Sequence, residues 1–64
     1  MKPHQERVVA EKSDLDEKIS KLNAFIGTAT FRDLDSHEKL SLDQQLRAMR
    51  NYSRALAERI ERFT

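Results

Sequence analysis

Sixty-four residues and 7.5 kDa leave room for one small domain with a single thin core. The 12 Lys and Arg against 11 Asp and Glu give a net charge of +1, and a pI of about 8.1 falls short of the strongly basic balance of a duplex nucleic-acid binder. The lack of Cys excludes disulfides and thiolate metal sites, no apolar run approaches the roughly 20 residues of a membrane span, and an enzyme pocket with several convergent polar groups does not fit in so short a chain.

The N-terminal MKPHQERVV carries no apolar core of a signal peptide, so the chain is expected to stay in the cytosol. Beyond Pro3 runs a stretch with no breaker. Its apolar residues Val8, Leu15, Ile19, Leu22 and Ile26 are spaced by sevens, fours and threes, which is a helical seam and not a strand. Lys12 occupies one seam position and Phe25 flanks the line. Pro3 suits a first helical turn, where its missing N–H would have no partner. Gly27, the only Gly, suits the left-handed position just past a helix. The first helix is therefore expected over Pro3–Ile26.

A connector, residues 27–35, follows. Thr28 to Leu34 has room for a short helical turn, with Phe31 and Leu34 three apart as a plug for one end of the fold. Asp35 with Glu38 reads as a capping box, and Ser36 is the competing cap. The second long helix is expected over Ser36–Arg62. Its seam is Leu42, Leu46, Met49, Leu56, Ile60 and Phe63, with Ser53 at the remaining position. Helices of about 24 and 27 residues at 1.5 Å per residue are roughly 36–40 Å long. A short connection folds them back as an all-α antiparallel helical hairpin, a single domain spanning residues 1–64.

A hairpin buries only one seam per helix. At about 25 cal/mol per Å² of apolar area, one such interface barely offsets the ordering of a chain this long. With disulfides and metal set aside, self-association into a homo-oligomeric helical bundle is the expected remedy. A second surface is on offer. Ala48, Tyr52, Ala55 and Arg59 form a stripe beside the seam of the second helix, with two small residues that permit close approach. On the first helix Val9 lies roughly 100° from the seam, where a lone hairpin would not bury it. Val9, Ala48, Tyr52 and Ala55 are thus the candidate oligomer interface, although single exposed apolar groups are ordinary on any surface.

The strongest polar signal is also in the second helix. From Arg47 to Arg62 there are five Arg and two Glu, whereas Met1 to Ile26 balances five basic against five acidic residues. Arg in place of Lys favours bidentate contact with phosphate or carboxylate. Arg47, Arg50, Arg54 and Arg59 are the candidate phosphate ligands, and Tyr52 among them supplies a ring for a base. These residues point differently around one helix, so a shared site calls for more than one subunit. The same charges also fit a solvated face complementing the helix dipole.

Other constellations carry less. His4 and His37 lie at opposite ends of a hairpin, so no metal site or cofactor is expected. Glu11, Asp14, Asp16 and Glu17 stand near Lys18 and Lys21, and Glu17–Lys21 and Asp14–Lys18 have the favoured i,i+4 order of exposed ion pairs. Ser13, Ser20 and Ser53 have no base around them.

The stretch Gln5 to Lys12, with Leu15 to Ile19 and Lys21 to Ile26, resembles the opening of a family of very short phage proteins catalogued from crAss-like phages. Phe31, Leu34, Gln44 to Met49, Tyr52-Ser53, Leu56 and Arg59-Ile60 extend the resemblance over nearly the whole chain. It implies a phage or prophage origin, a helical hairpin and a site of action in the cytoplasm of an infected bacterial cell. Small helical phage proteins of similar architecture include anti-CBASS and anti-Thoeris sponges, oligomers that sequester cyclic-nucleotide or ADP-ribose-derived immune signals between subunits. The analogy implies a non-enzymatic sponge that binds itself and a small nucleotide. The competing reading is an interaction module that docks on a host defence protein or a phage protein. A virion or nucleoid accessory with weak, salt-sensitive nucleic-acid affinity comes third.

Overall fold

The computed structural model describes residues 1–63, in the order α1 (Pro3–Ile26), α2 (Ala29–Arg32) and α3 (Ser36–Glu61). No strand occurs among the described residues. Both long helices start where local chemistry favours it. Pro3 opens α1, and the Lys2 backbone N–H before it donates to Gln5 Oε1 at 3.0 Å. Asp35, not Ser36, caps α3: the Glu38 N–H donates to Asp35 Oδ1 at 2.9 Å. The far end of α3 falls at Glu61, one residue short of the expected Arg62.

The connector departs from expectation at Gly27. Its φ is −81° and ψ is 2°, and no described residue has positive φ. The reversal falls instead on Thr28, extended at φ −95° and ψ 161°. Thr28 Oγ1 donates to the Phe25 carbonyl at 2.6 Å and accepts from the Phe31 N–H at 3.2 Å, so one hydroxyl ends α1 and starts α2. A left-handed glycine is not needed where the next residue turns the chain. A Cβ at Gly27 would meet only the Ala24 carbonyl oxygen, at 3.5 Å. Gly27→Ala is therefore expected to raise stability by about 0.4–1 kcal/mol, chiefly by restricting the unfolded chain. A urea midpoint that falls in this variant contradicts the assignment.

The level near the end of α1 meets the middle of α3 and the start of α1 meets the far end of α3, which makes the pair antiparallel. Asn23 meets Arg50, Asp16 meets Ser53, Glu11 meets Tyr52, and at the open end His4 packs edge-on against Phe63 with centroids 6.4 Å apart. At the closed end Phe25 and Phe31 pack edge-on at 6.1 Å, and Phe31 and Leu34 are half-buried as the expected plug. The molecule measures 46 × 14 × 13 Å.

Two helices side by side enclose little. Among the described residues only Val8, Leu46 and Leu56 are buried, and Leu56 alone is fully sealed. Leu15, Ile19, Leu22, Leu42, Met49 and Ile60 stay half-exposed along the seam. The seam is polar where Lys12 and Ser53 interrupt it, and Asp16 joins them. Lys12 Nζ lies 2.6 Å from Asp16 Oδ2, and Ser53 Oγ donates to Asp16 Oδ1 at 2.6 Å. No helix among the described residues is long and apolar enough to cross a membrane.

Candidate functional site

The antiparallel packing gives the hairpin two edges and an outer face, and the five candidate ligand residues are distributed over all three. Arg50 occupies one edge, where its Nη2 donates to Asn23 Oδ1 at 3.1 Å. Arg47 and Arg54 are on the outer face of α3. Arg47 Nε is 3.2 Å from Asp43 Oδ2, and Arg54 Nη2 donates to Asn51 Oδ1 at 3.3 Å. Tyr52 stands on the opposite edge from Arg50. Arg59, seven residues on, shares that edge by the helical step. A single chain therefore brings Tyr52 and Arg59 to one side and leaves Arg47, Arg50 and Arg54 elsewhere.

The expected oligomer residues divide in the same way. Ala48, Tyr52 and Ala55 are exposed along one flank of α3. Val9, 37% exposed, lies seven residues from Asp16 on the same face of α1, which is the other edge of the hairpin. The four do not form one patch on one chain. Leu40, 56% exposed, is a further uncovered apolar residue, which the seam pattern did not single out.

Beside Tyr52 the two helices leave an open cleft of about 410 Å³ lined by Arg7, Ala10, Glu11, Asp14, Leu15, Lys18 and Tyr52. All but Tyr52 come from α1. The Tyr52 hydroxyl donates to Glu11 Oε2. That hydrogen bond holds the phenol above its ordinary value of 10.0, with partial desolvation and the Glu11 charge acting the same way and Arg59 opposing. Tyr52 is the only Tyr and no Trp is present, so phenolate absorbance reports this group alone. An alkaline titration is expected to centre above 10.0, and Glu11→Gln to bring it down. A midpoint indifferent to Glu11→Gln rules the contact out.

The expected ion pairs are partly realised. Lys21 Nζ lies 3.3 Å from Glu17 Oε1, whereas Asp14 and Lys18 form no pair among the described residues. Arg7, four residues before Glu11, and Arg59 also have no hydrogen-bond or ion-pair partner among the described residues. No group of three or more His, Asp or Glu is placed to hold a metal there.

Glu11, Arg7 and Lys18 were not singled out as site residues from the sequence. The signal available was the stripe itself, since positions 7, 11, 14 and 18 share one face of α1. Assigning that face to Tyr52 required knowing which levels of the two helices stand opposite.

Fold and cleft together define a small all-α hairpin protein that presents its aromatic and charged groups on open edges. The chain belongs to the Sequestin family, which it matches over residues 2–62. No curated protein and no solved structure matches it.

Proposed function

We propose that this protein is a phage-encoded, non-enzymatic anti-defence sponge. It acts in the cytoplasm of the infected cell and sequesters a cyclic-nucleotide or related nucleotide immune signal within a homo-oligomer. The observation that carries the reading is membership of the Sequestin family over residues 2–62, a family whose name speaks of sequestration.

The geometry supports the reading at two points. Three buried residues are a thin core for a 46 Å hairpin, so the half-exposed seam and the exposed Val9, Ala48, Tyr52 and Ala55 are suited to burial against further copies. The candidate ligand groups also fail to converge within one chain. Tyr52 and Arg59 supply a ring and a guanidinium on one edge, and Arg47, Arg50 and Arg54 reach the same ligand only from another copy. A site assembled between subunits needs no enclosed pocket in any one of them.

The experiment is a capture-and-release assay. The protein is mixed with cyclic di- and trinucleotides and cyclic ADP-ribose isomers, the unbound fraction is filtered away, and the retained fraction is heated. A sponge depletes one of these from the filtrate and returns it chemically unchanged on heating. Full recovery of every one in the filtrate, or return of a converted product, overturns the proposal. In the first case, a stoichiometric protein captured from host lysate moves the assignment to the interaction module.

A further inference from the structure

The cleft beside Tyr52 contains groups that the arginine-rich helix does not supply. We propose that the α1 stripe Arg7, Glu11 and Lys18 is the second half of the nucleotide site, and that it takes a nucleotide carrying two or more phosphates. This inference rests on the nucleotide reading above and assigns residues and ligand class to it.

Three observations carry it. First, the two cleft cations are unpaired although carboxylates stand at pairing distance in sequence. Arg7 precedes Glu11 by four, and Lys18 follows Asp14 by four, yet neither pair forms among the described residues. At the same spacing Lys12–Asp16, Glu17–Lys21 and Asp43–Arg47 close within 3.3 Å, whereas among the described residues Lys2–Glu6, Arg54–Glu58 and Glu58–Arg62 stay open as these two do. Arg7 and Lys18 are thus available to an anion.

Second, the lining combines complementary chemistries. Arg7 and Lys18 attract phosphate, the ring of Tyr52 offers a stacking face, and Ala10 and Leu15 give an apolar floor. Glu11 holds the Tyr52 hydroxyl through Oε2, which leaves Oε1 to accept from a ribose hydroxyl or a base N–H. Two cations alone would suit any anion. Two cations with carboxylates and a ring between them suit a nucleotide better than a bare phosphate.

Third, the spacing is that of a two-ended ligand. Arg7 and Lys18 are eleven residues apart, roughly 16 Å along the helix, and Tyr52 enters between them at the level of Glu11. Phosphates at two positions can then each find a cation while the ring lies on Tyr52.

The test is isothermal titration of the intact chain with cyclic di-AMP, cyclic di-GMP, cyclic tri-AMP, cyclic ADP-ribose and, as a one-phosphate comparator, AMP. It is repeated on Arg7→Ala/Lys18→Ala and on Lys21→Ala/Arg32→Ala, which removes the same charge elsewhere. Ala is a good helix residue, and circular dichroism verifies that the helices are kept. The expected result is that one two- or three-phosphate probe binds the wild type, AMP binds at least tenfold more weakly, and only the Arg7/Lys18 variant loses at least tenfold. Binding retained by the Arg7/Lys18 variant, an equal loss in both variants, or equal affinity for AMP overturns this site while leaving sequestration standing. Absence of binding by the wild type to every probe overturns the nucleotide reading, and this site with it.

Discussion

Leu56→Ala is expected to unfold most of the population at room temperature. Among the described residues Leu56 is the only fully buried side chain, and only Val8 and Leu46 join it in the core. Truncating a buried Leu costs about 2–5 kcal/mol, the transfer term plus the cavity left behind. A large domain absorbs such a loss. A hairpin with three buried residues does not have the reserve, since small single-core domains rarely exceed about 3–5 kcal/mol in total. Loss of most helical ellipticity is the expected readout. Leu40→Ala is the matched comparison, because Leu40 is 56% exposed and its removal opens no cavity in the seam. Equal effects of the two substitutions contradict the packing described.

The second effect is at Asp16 and depends on pH. Its carboxylate is held below the ordinary value of 3.8, first by the hydrogen bond from Lys12 and then by that from Ser53. Partial desolvation opposes them, and the Lys12 charge adds to the lowering. A carboxyl whose folded value is depressed contributes stability that is fully present above its unfolded value. That stability is lost as the pH falls below about 3.8 and through the folded value. Asp16→Asn keeps an acceptor for Ser53 but removes the charge opposite Lys12, whose side chain is only 27% exposed. The variant is expected to melt below the wild type at neutral pH, and the gap is expected to close on acidification below 3.8. A gap of constant size across that range would show that the charge on Asp16 contributes nothing.

The helices were legible because their signals are local. Pro3 and the Asp35–Glu38 cap mark their starts, and the seam through Val8, Leu15 and Ile19 has one period throughout. Gly27 misled because composition alone favours a left-handed cap there, whereas the side chain of Thr28 performs the turn. The polar centre of the seam was half legible. Lys12 and Ser53 stand out as breaks in an apolar line, but Asp16 lies beside that line and is identified only by its contacts.

The candidate site was the least legible. Tyr52 and the arginines are conspicuous by type, and their angles around α3 already argued against a site within one chain. What periodicity does not reveal is which level of α1 faces which level of α3. That depends on how the helices cross and how far Thr28 and Phe31 carry the chain before it returns. Glu11 therefore reads from the sequence as one member of an exposed acidic cluster, and only its contact with Tyr52 places it in the cleft.

The central claim is that copies of this hairpin assemble and hold a nucleotide signal. The most direct measurement is solution mass by light scattering, with melting temperature followed in parallel, in the absence and presence of cyclic di- and trinucleotides and cyclic ADP-ribose isomers. A ligand that binds only the folded assembly must stabilise it. The account predicts a mass that is a multiple of 7.5 kDa and a melting temperature that rises with one of these ligands. A stable particle of 7.5 kDa, with a melting temperature indifferent to all of them, would contradict it.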